Sequence, residues 1–220
     1  MKNLLYKEKK LCVSLQTWVF AFLSFTIVIP TWPSLVSFFY PLAGFAVVFI
    51  LSNANGDLLY TSILPLAKKD IVKGKVLILS YLEMLTILIS VPFGFLKLFL
   101  TKFMPADQLY PELGFNFALY GFVFFVFGVF NLICLPWYYK KPEAKVSLPF
   151  LISDLIAMFL IGIIMIPFMV VPGLSEFINS YALPNLLTQL AILFGGFLFF
   201  AAFTFLASYL AGKNFQKVDI

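Results

Sequence analysis

The sequence predicts an all-α polytopic membrane protein with six transmembrane helices and both termini in the cytoplasm. Three observations predict this fold class: the composition, the spacing of the apolar runs and the distribution of the lysines. Of the 220 residues, 62% are hydrophobic and 11% are charged, and the mean hydropathy is +1.02. One soluble core cannot enclose that much apolar surface, so the chain belongs in a lipid bilayer.

Six apolar runs each approach the roughly 20 residues that a helix needs to cross a bilayer. The runs cover about residues 13–29, 35–51, 76–96, 113–135, 148–171 and 186–210. They lack the polar and apolar alternation of a membrane barrel, and in lipid only helices or closed barrels satisfy their backbone hydrogen bonds. Six helices in one transmembrane domain, residues 1–220, are therefore predicted.

The orientation is predicted from the basic residues, which are all lysines because the chain has neither arginine nor histidine. Thirteen of the 15 lysines lie on one side of the predicted spans. They occupy the N-terminal segment, segments 53–75 and 136–147, and the C-terminal tail, whereas Lys97 and Lys102 lie opposite. The positive-inside rule places the lysine-rich side in the cytoplasm. The net charge of +5 therefore requires no nucleic-acid partner.

Two segments outside the spans have alternative interpretations. Residues 1–12 mix leucines and a tyrosine with lysines, which predicts a cytoplasmic segment that either lies on the inner leaflet or forms a flexible basic tail. A cleaved signal peptide is rejected because residues 30–33, PTWP, stand where small residues would be needed. The outer loop 172–185 either dips back into the membrane or forms a surface loop.

The residue inventory argues against catalysis by this chain. Histidine, the usual general base and commonest metal ligand, is absent. Cys12 and Cys134 fall at predicted cytoplasmic ends of spans, where thiols stay reduced, so neither a disulfide nor a metal site is expected. There is no Walker-type glycine-rich loop. We therefore expect no catalytic residue, metal or cofactor on this chain.

The polar segment from Asn53 to Lys75 is the most patterned part outside the spans. It opens with an Asn, Gly and Asp cluster and continues into a short helix-like run that Pro65 ends. An interfacial turn accounts for its lysines as topology determinants. It accounts less well for four apolar residues, which favour a docking face. These residues are Leu58, Leu59, Ile63 and Leu64.

Within this segment, residues 64–75 read LPLAKKDIVKGK. They resemble the LPxSRKDIVxGKY-like signature that follows the second span in ABC-2 type transporter permeases, especially small six-span bacterial permeases such as the membrane subunits of phenol-soluble modulin exporters. The order and length of the spans and the basic N-terminal segment are also similar. Ala67 and Lys68 depart from the usual hydroxyl residue and arginine, and lysine lacks the planar fork that makes bidentate contacts.

The resemblance implies a membrane subunit of an ATP-binding cassette exporter in a bacterial cytoplasmic membrane. Such a subunit forms half of a translocation path, as a homodimer or with a sister permease, while ATP and Mg²⁺ bind to a separate ATPase subunit. An amphipathic peptide or a lipid-like molecule is the expected substrate. The resemblance also implies that segment 53–75 docks on the ATPase. The residues expected to do so are Asp57, Leu58, Leu59, Ile63, Leu64, Pro65, Lys68, Lys69 and Asp70.

Two other classes remain open. One is the substrate-capturing membrane subunit of a vitamin importer, and the other is a non-transporting immunity or assembly protein. The predicted first span argues against the importer class because it contains few of the small residues through which such a subunit would contact its partner.

Three carboxylates are candidates for a substrate path. Glu83 and Asp154 lie inside predicted spans, each roughly 10 Å from the inner surface. Carboxylates inside spans are costly and often face a polar cavity, which predicts a vestibule for cationic groups. The alternative is that both are protonated or reach water or lysine near the rim. Glu176, in the outer loop, would lie near the exit of the path if the family resemblance holds.

Overall fold

The computed structural model describes residues 2–63, 66–105, 112–142 and 147–218. Within these ranges the chain is helical and contains no strand. The α-helices are α1 (Lys2–Cys12), α2 (Leu15–Phe22), α3 (Phe39–Ala54), α4 (Asp57–Ile63), α5 (Lys68–Thr101), α6 (Phe117–Tyr138), α7 (Ser147–Val170), α8 (Leu174–Asn179) and α9 (Leu183–Gln216). A 3₁₀ helix at Leu23–Val28 follows α2, and another at Ser34–Phe38 leads into α3.

Five helical segments are long and apolar enough to cross a membrane, by length and composition. They are Ser34–Ala54, which joins the 3₁₀ turn to α3, together with α5, α6, α7 and α9. A sixth span exists only if Leu4–Cys12 and Leu15–Val28 are taken together, and these two pieces are bent by 85°. The chain is therefore a helical protein with several membrane-spanning segments, and its multi-pass character agrees with the sequence.

The predicted first span, residues 13–29, is not a continuous α-helix. The Ser14 hydroxyl accepts a hydrogen bond from the Thr17 amide at 3.3 Å and caps the start of α2, which separates α2 from α1. From Leu23 the helix tightens into a 3₁₀ turn that ends before Pro30. The cap at Ser14 therefore interrupts the continuous helix that the apolar run predicted.

α5 begins at Lys68, eight residues before the predicted span at 76. The segment expected to be a cytoplasmic loop thus divides into α4 and the first two turns of α5. With 34 residues, α5 is about 51 Å long, which exceeds the roughly 30 Å of a hydrocarbon core. The lysines in the first two turns of α5 lower the local hydropathy, so a prediction from hydropathy alone did not include these turns in the span. Lysine is nevertheless a good helix former, and the helix begins at Lys68.

The centre of the bundle is α6, which packs most extensively on α9 and also on α7. Aromatic rings from the α3 side fill its other face, with the Phe45 and Phe127 ring centroids 5.6 Å apart. α5 packs on the first 3₁₀ helix, on α9 and on α1, while α2 packs on α3. Both α1 and the end of α9 lie beside the start of α5, since Glu8 contacts Lys75 and the carbonyl group of Val218 contacts Lys68.

The α6–α9 contact depends on glycines that let the two backbones touch. A Cβ added at Gly196 would lie 1.9 Å from the Gly121 carbonyl oxygen, and one at Gly121 would lie 2.3 Å from the Ile192 carbonyl oxygen. Ala207 and Ala211 are fully buried farther along α9. Lipid tails are as apolar as side chains, so no hydrophobic driving force pushes two helices together in a bilayer. Close packing of small residues stabilises the contact instead.

We expect Gly196→Ala to destabilise the bundle by about 1–3 kcal/mol or more, because backbone rather than a movable side chain blocks the new methyl group. The neighbouring Gly195→Ala is the matched control, since a Cβ there meets nothing within 4 Å. Thermal unfolding in detergent micelles should show a lower midpoint for Gly196→Ala only. Equal midpoints for the two variants would contradict this packing.

Candidate functional site

A buried ion cluster lies at one end of the bundle, where α1, α3, α4 and α5 meet. Its centre is Lys75 of α5, whose side chain is fully buried. The Lys75 Nζ lies 2.5 Å from Glu8 Oε2 and 2.9 Å from Asp57 Oδ2. It also donates to Ser52 Oγ at 2.8 Å and contacts Cys12 Sγ at 3.0 Å. Four helices therefore converge on one ammonium group.

Lys7 completes the cluster from a partly buried position on α1. Its Nζ lies 2.7 Å from Asp57 Oδ1, 2.9 Å from Glu8 Oε1 and 2.5 Å from Thr61 Oγ1. Two ammonium groups thus balance two carboxylates. Burial by itself raises the pKa of Asp57, but the ammonium groups of Lys75 and Lys7 outweigh it and hold that pKa well below its usual range. Asp57 is therefore ionised at neutral pH.

The same cluster contains a potential metal-ligand set. The ligand atoms of Glu8, Cys12 and Asp57 lie within 4.8 Å of one another. The Lys75 ammonium contacts all three, so the positive charge that a metal would bring is already supplied by the chain itself. A metal ion would have to displace a charged lysine from its partners, and we assign this cluster a structural role.

The ion cluster fixes the position of α4. Gly56 turns the chain between α3 and α4 with a φ of +60°, a conformation that favours glycine. Asp57, the first residue of α4, and Leu58 are buried. Leu59 and Ile63, by contrast, are 54% and 83% exposed. Among the residues expected to dock, Asp57 and Leu58 therefore hold the helix, and Leu59 and Ile63 are presented outward.

The remaining residues expected to dock differ in their surroundings. The Lys68 Nζ donates to the Val218 carbonyl oxygen at 2.6 Å and lies 5.8 Å from the centre of the Phe215 ring. Lys69 is exposed, and the Asp70 carboxylate lies 3.4 Å from the exposed Lys73 ammonium. Leu64 and Pro65 lie outside the described residues. The start of α5 is thus joined to the C-terminal end of the chain.

The two carboxylates inside the spans occupy different environments. Glu83 of α5 is fully buried, and its Oε2 accepts a hydrogen bond of 3.1 Å from Asn131 of α6. Asp154 of α7 is only partly buried. Cys134 of α6 is within electrostatic reach of both carboxylates. Because Glu83 has no exposed surface in this state, it does not line an open vestibule.

A second ion cluster closes the opposite end. The Lys97 Nζ contacts Glu112 Oε1 at 2.7 Å, Ser34 Oγ at 2.9 Å and the Trp32 carbonyl oxygen at 2.7 Å. Burial raises the pKa of Glu112 even though the Lys97 ammonium opposes that shift. Lys75 and Lys97 are 22 residues apart on α5, about 33 Å along a regular helix. The two clusters thus bracket the thickness of a hydrocarbon core.

The segment 172–185, expected to be an outer loop, contains the short helix α8 beside this second cluster. The Asn179 side chain donates to the Glu112 carbonyl oxygen at 2.8 Å and accepts from the Gly114 amide at 2.9 Å. Glu176 is exposed and lines a pocket together with Lys97 and Glu112. Neither Glu83 nor Asp154 lines this pocket, so the three carboxylates expected along a substrate path do not share it.

Sequence reasoning missed the partners that make these sites. Glu8 is the one acid in a lysine-rich segment, and it shares a buried face of α1 with Leu4 and Cys12 at a spacing of four residues. That spacing is the signal that could have found it. Asn131 was detectable as an isolated amide in an apolar run. Nothing in the local sequence indicated that Glu112 pairs with Lys97.

No known protein family, curated protein or solved structure matches this chain. The geometry of its clusters and of α4 therefore carries the functional interpretation.

Replacing Lys75 with methionine should destabilise the protein by about 3–5 kcal/mol, because it leaves buried carboxylates without their counter-charge. Lys73→Met is the control, since Lys73 is exposed and its partner Asp70 is also exposed, so little change is expected. Thermal unfolding in micelles compares the two. Similar midpoints would contradict the central role of Lys75.

Acid should weaken the same cluster. The folded-state pKa of Asp57 lies below the value of 3.8 for an unperturbed carboxyl, so its stabilisation is present above about pH 4 and is lost as the pH falls further. Unfolding midpoints measured from about pH 6 down to about pH 3 should fall more steeply for the wild type than for Asp57→Asn. Parallel curves would contradict an ionised Asp57.

Proposed function

We propose that this protein is a membrane-spanning permease subunit of an ATP-binding cassette exporter and that it couples to a separate ATPase subunit through α4. One observation carries the proposal. A helix of only seven residues is fixed from inside by a buried ion cluster, and it turns large apolar side chains outward at the lysine-rich end of the bundle.

The exposed side of α4 supports a docking role. Leu59, Tyr60 and Ile63 are exposed on consecutive turns, and Leu66 follows them. They lie beside Asp57 and Lys75, at the end of the bundle where charged side chains collect rather than along the lipid-facing length of a span. Exposed apolar side chains in such a place are typical of protein interaction sites. The resemblance of residues 64–75 to the permease signature supports the same assignment.

The connections of α4 support transmission of movement. Asp57 is ion-paired to Lys75 on α5 and to Lys7 on α1. α5 then runs without interruption to Lys97 and the second cluster. A partner that moves α4 would therefore move a helix that reaches the other side of the membrane. Rigid elements joined by buried contacts are the physical means by which distant sites are coupled.

The rest of the proposal follows from this role. ATP and Mg²⁺ bind to the partner ATPase, and a second permease, identical or related, supplies the other half of the path. α7 and α9 present long apolar faces that lipid or this second permease would cover. The substrate class we favour is an amphipathic peptide or a lipid-like molecule, exported across a bacterial cytoplasmic membrane.

The test is co-purification of the tagged protein with an ATPase subunit from mildly solubilised native membranes. Leu59→Glu and Ile63→Glu should each weaken the association at least tenfold, because burying an apolar side chain contributes about 1.5–3 kcal/mol and a buried charge is costly. Gln216→Glu is the control, since it adds the same charge at an exposed position near the end of α9.

Three outcomes would change the assignment. If no ATPase accompanies the wild type, the chain belongs with the non-transporting membrane proteins. If the ATPase also remains with both glutamate variants, docking lies away from α4. Uptake rather than export of substrate by reconstituted vesicles would favour the substrate-capturing subunit of an importer.

A further inference from the structure

A polar triad lies inside the apolar bundle, between α5, α6 and α9. Glu83 and Asn131 are fully buried, and Thr204 is nearly so. The Asn131 Nδ2 donates to Glu83 Oε2 and to Thr204 Oγ1, both at 3.1 Å. Glu83 is eight residues from Lys75 and 14 from Lys97, about 12 and 21 Å along α5. The triad is therefore separate from both ion clusters.

The Glu83 carboxyl has no counter-charge in the described ranges of the chain. None of the ion pairs among the described residues involves Glu83, and its hydrogen-bond partner is the neutral Asn131 amide. An isolated ionised carboxylate in an apolar interior costs so much free energy that such groups normally become neutral instead. The described part of the chain therefore supplies no positive charge that would neutralise the triad.

Two atoms of the triad identify what is missing. Glu83 Oε1 and Asn131 Oδ1 are buried and have no hydrogen-bond partner in the described part of the chain. A proton on the carboxyl neutralises Glu83 and turns an unpaired acceptor into a donor. A metal ion is disfavoured because the Asn131 NH₂ group, a donor, lies between the Glu83 and Thr204 oxygens. The complete burial of Glu83 also excludes an organic cation in this state.

Few titratable groups face Glu83 from the packed helices. Cys134 of α6 lies within electrostatic reach of Glu83 and also of Asp154 of α7. α9 contributes the non-titratable Thr204. α2 and the following 3₁₀ helix, residues 15–28, contain no titratable side chain. The protonation of this site is therefore governed by Glu83 itself, with Cys134 as its acidic neighbour and Asp154 on the far side of Cys134 as the next acid.

We propose that Glu83 is an intramembrane proton-binding site, occupied when α5, α6 and α9 are packed and emptied when water enters between them. On opening, the carboxyl O–H bond breaks, its electron pair stays on Glu83, and water takes the proton. Closing reverses this step. Each opening and closing of the three-helix contact thus releases and rebinds one proton, and high pH favours the open state. The proposal does not depend on ATPase docking.

Infrared spectroscopy of the purified full chain in liposomes at neutral pH tests the resting protonation state. The difference spectrum, wild type minus Glu83→Gln, should contain the carbonyl stretch of a protonated carboxylic acid that the variant has lost. Glu83→Asp should retain a shifted band, which separates loss of the group from loss of the fold. Asp154→Asn is the matched control, because Asp154 is the other carboxyl in a span, and the Glu83 band should survive it.

A wild-type spectrum identical to that of Glu83→Gln in this region would overturn the proposal, because Glu83 would then be ionised. A band that disappears when sodium replaces choline in the buffer would also overturn it, in favour of a sodium site. As a second readout, unfolding exposes Glu83 and releases its proton, so the wild-type unfolding equilibrium constant should rise by up to tenfold per pH unit wherever the folded state holds this proton and the unfolded state has lost it. A Glu83→Gln curve with the same pH dependence would contradict the proposal.

Discussion

A lysine buried in an apolar bundle needs carboxylates or other polar groups around its ammonium group. The contacts of Lys75 therefore determine which helices meet at one end of this protein. Glu8 and Asp57 come from helices far apart in sequence, yet both reach the same ammonium group. Lys7 adds a second ammonium group to the cluster. Because either carboxylate alone would leave one of the two ammonium groups unbalanced, α1, α4 and α5 are held together as a set. The exposed side of α4 is a consequence of that arrangement.

α5 connects the three charged environments of the molecule. Lys75 and Lys97 anchor ion clusters at its two ends, and Glu83 lies between them with no ion-pair partner among the residues that the structure describes. The ammonium group in each of these two clusters has a carboxylate in contact with it. The carboxyl in the middle has only an amide, so a proton is the smallest change that satisfies it. One helix could thereby link movement at α4 to protonation inside the bundle.

The other side of the bundle relies on shape rather than charge. Gly121 and Gly196 bring the backbones of α6 and α9 into contact, which gives van der Waals attraction where lipid provides no hydrophobic drive. Thr204 and Asn131 lie on the same pair of helices. A close but uncharged contact can separate without breaking an ion pair, which makes the α5–α6–α9 junction the natural place for water to enter.

The sequence by itself determined the helical class, the membrane environment and the approximate positions of most spans, because twenty apolar residues have no other stable arrangement in lipid. It also marked Asp57, Glu83 and the segment containing α4 as unusual. Tertiary structure alone decided which charges meet: Glu8 with Lys75, Glu112 with Lys97, and Glu83 with no lysine. Such pairings depend on how the helices pack against one another, and the local sequence around each residue does not predict that packing.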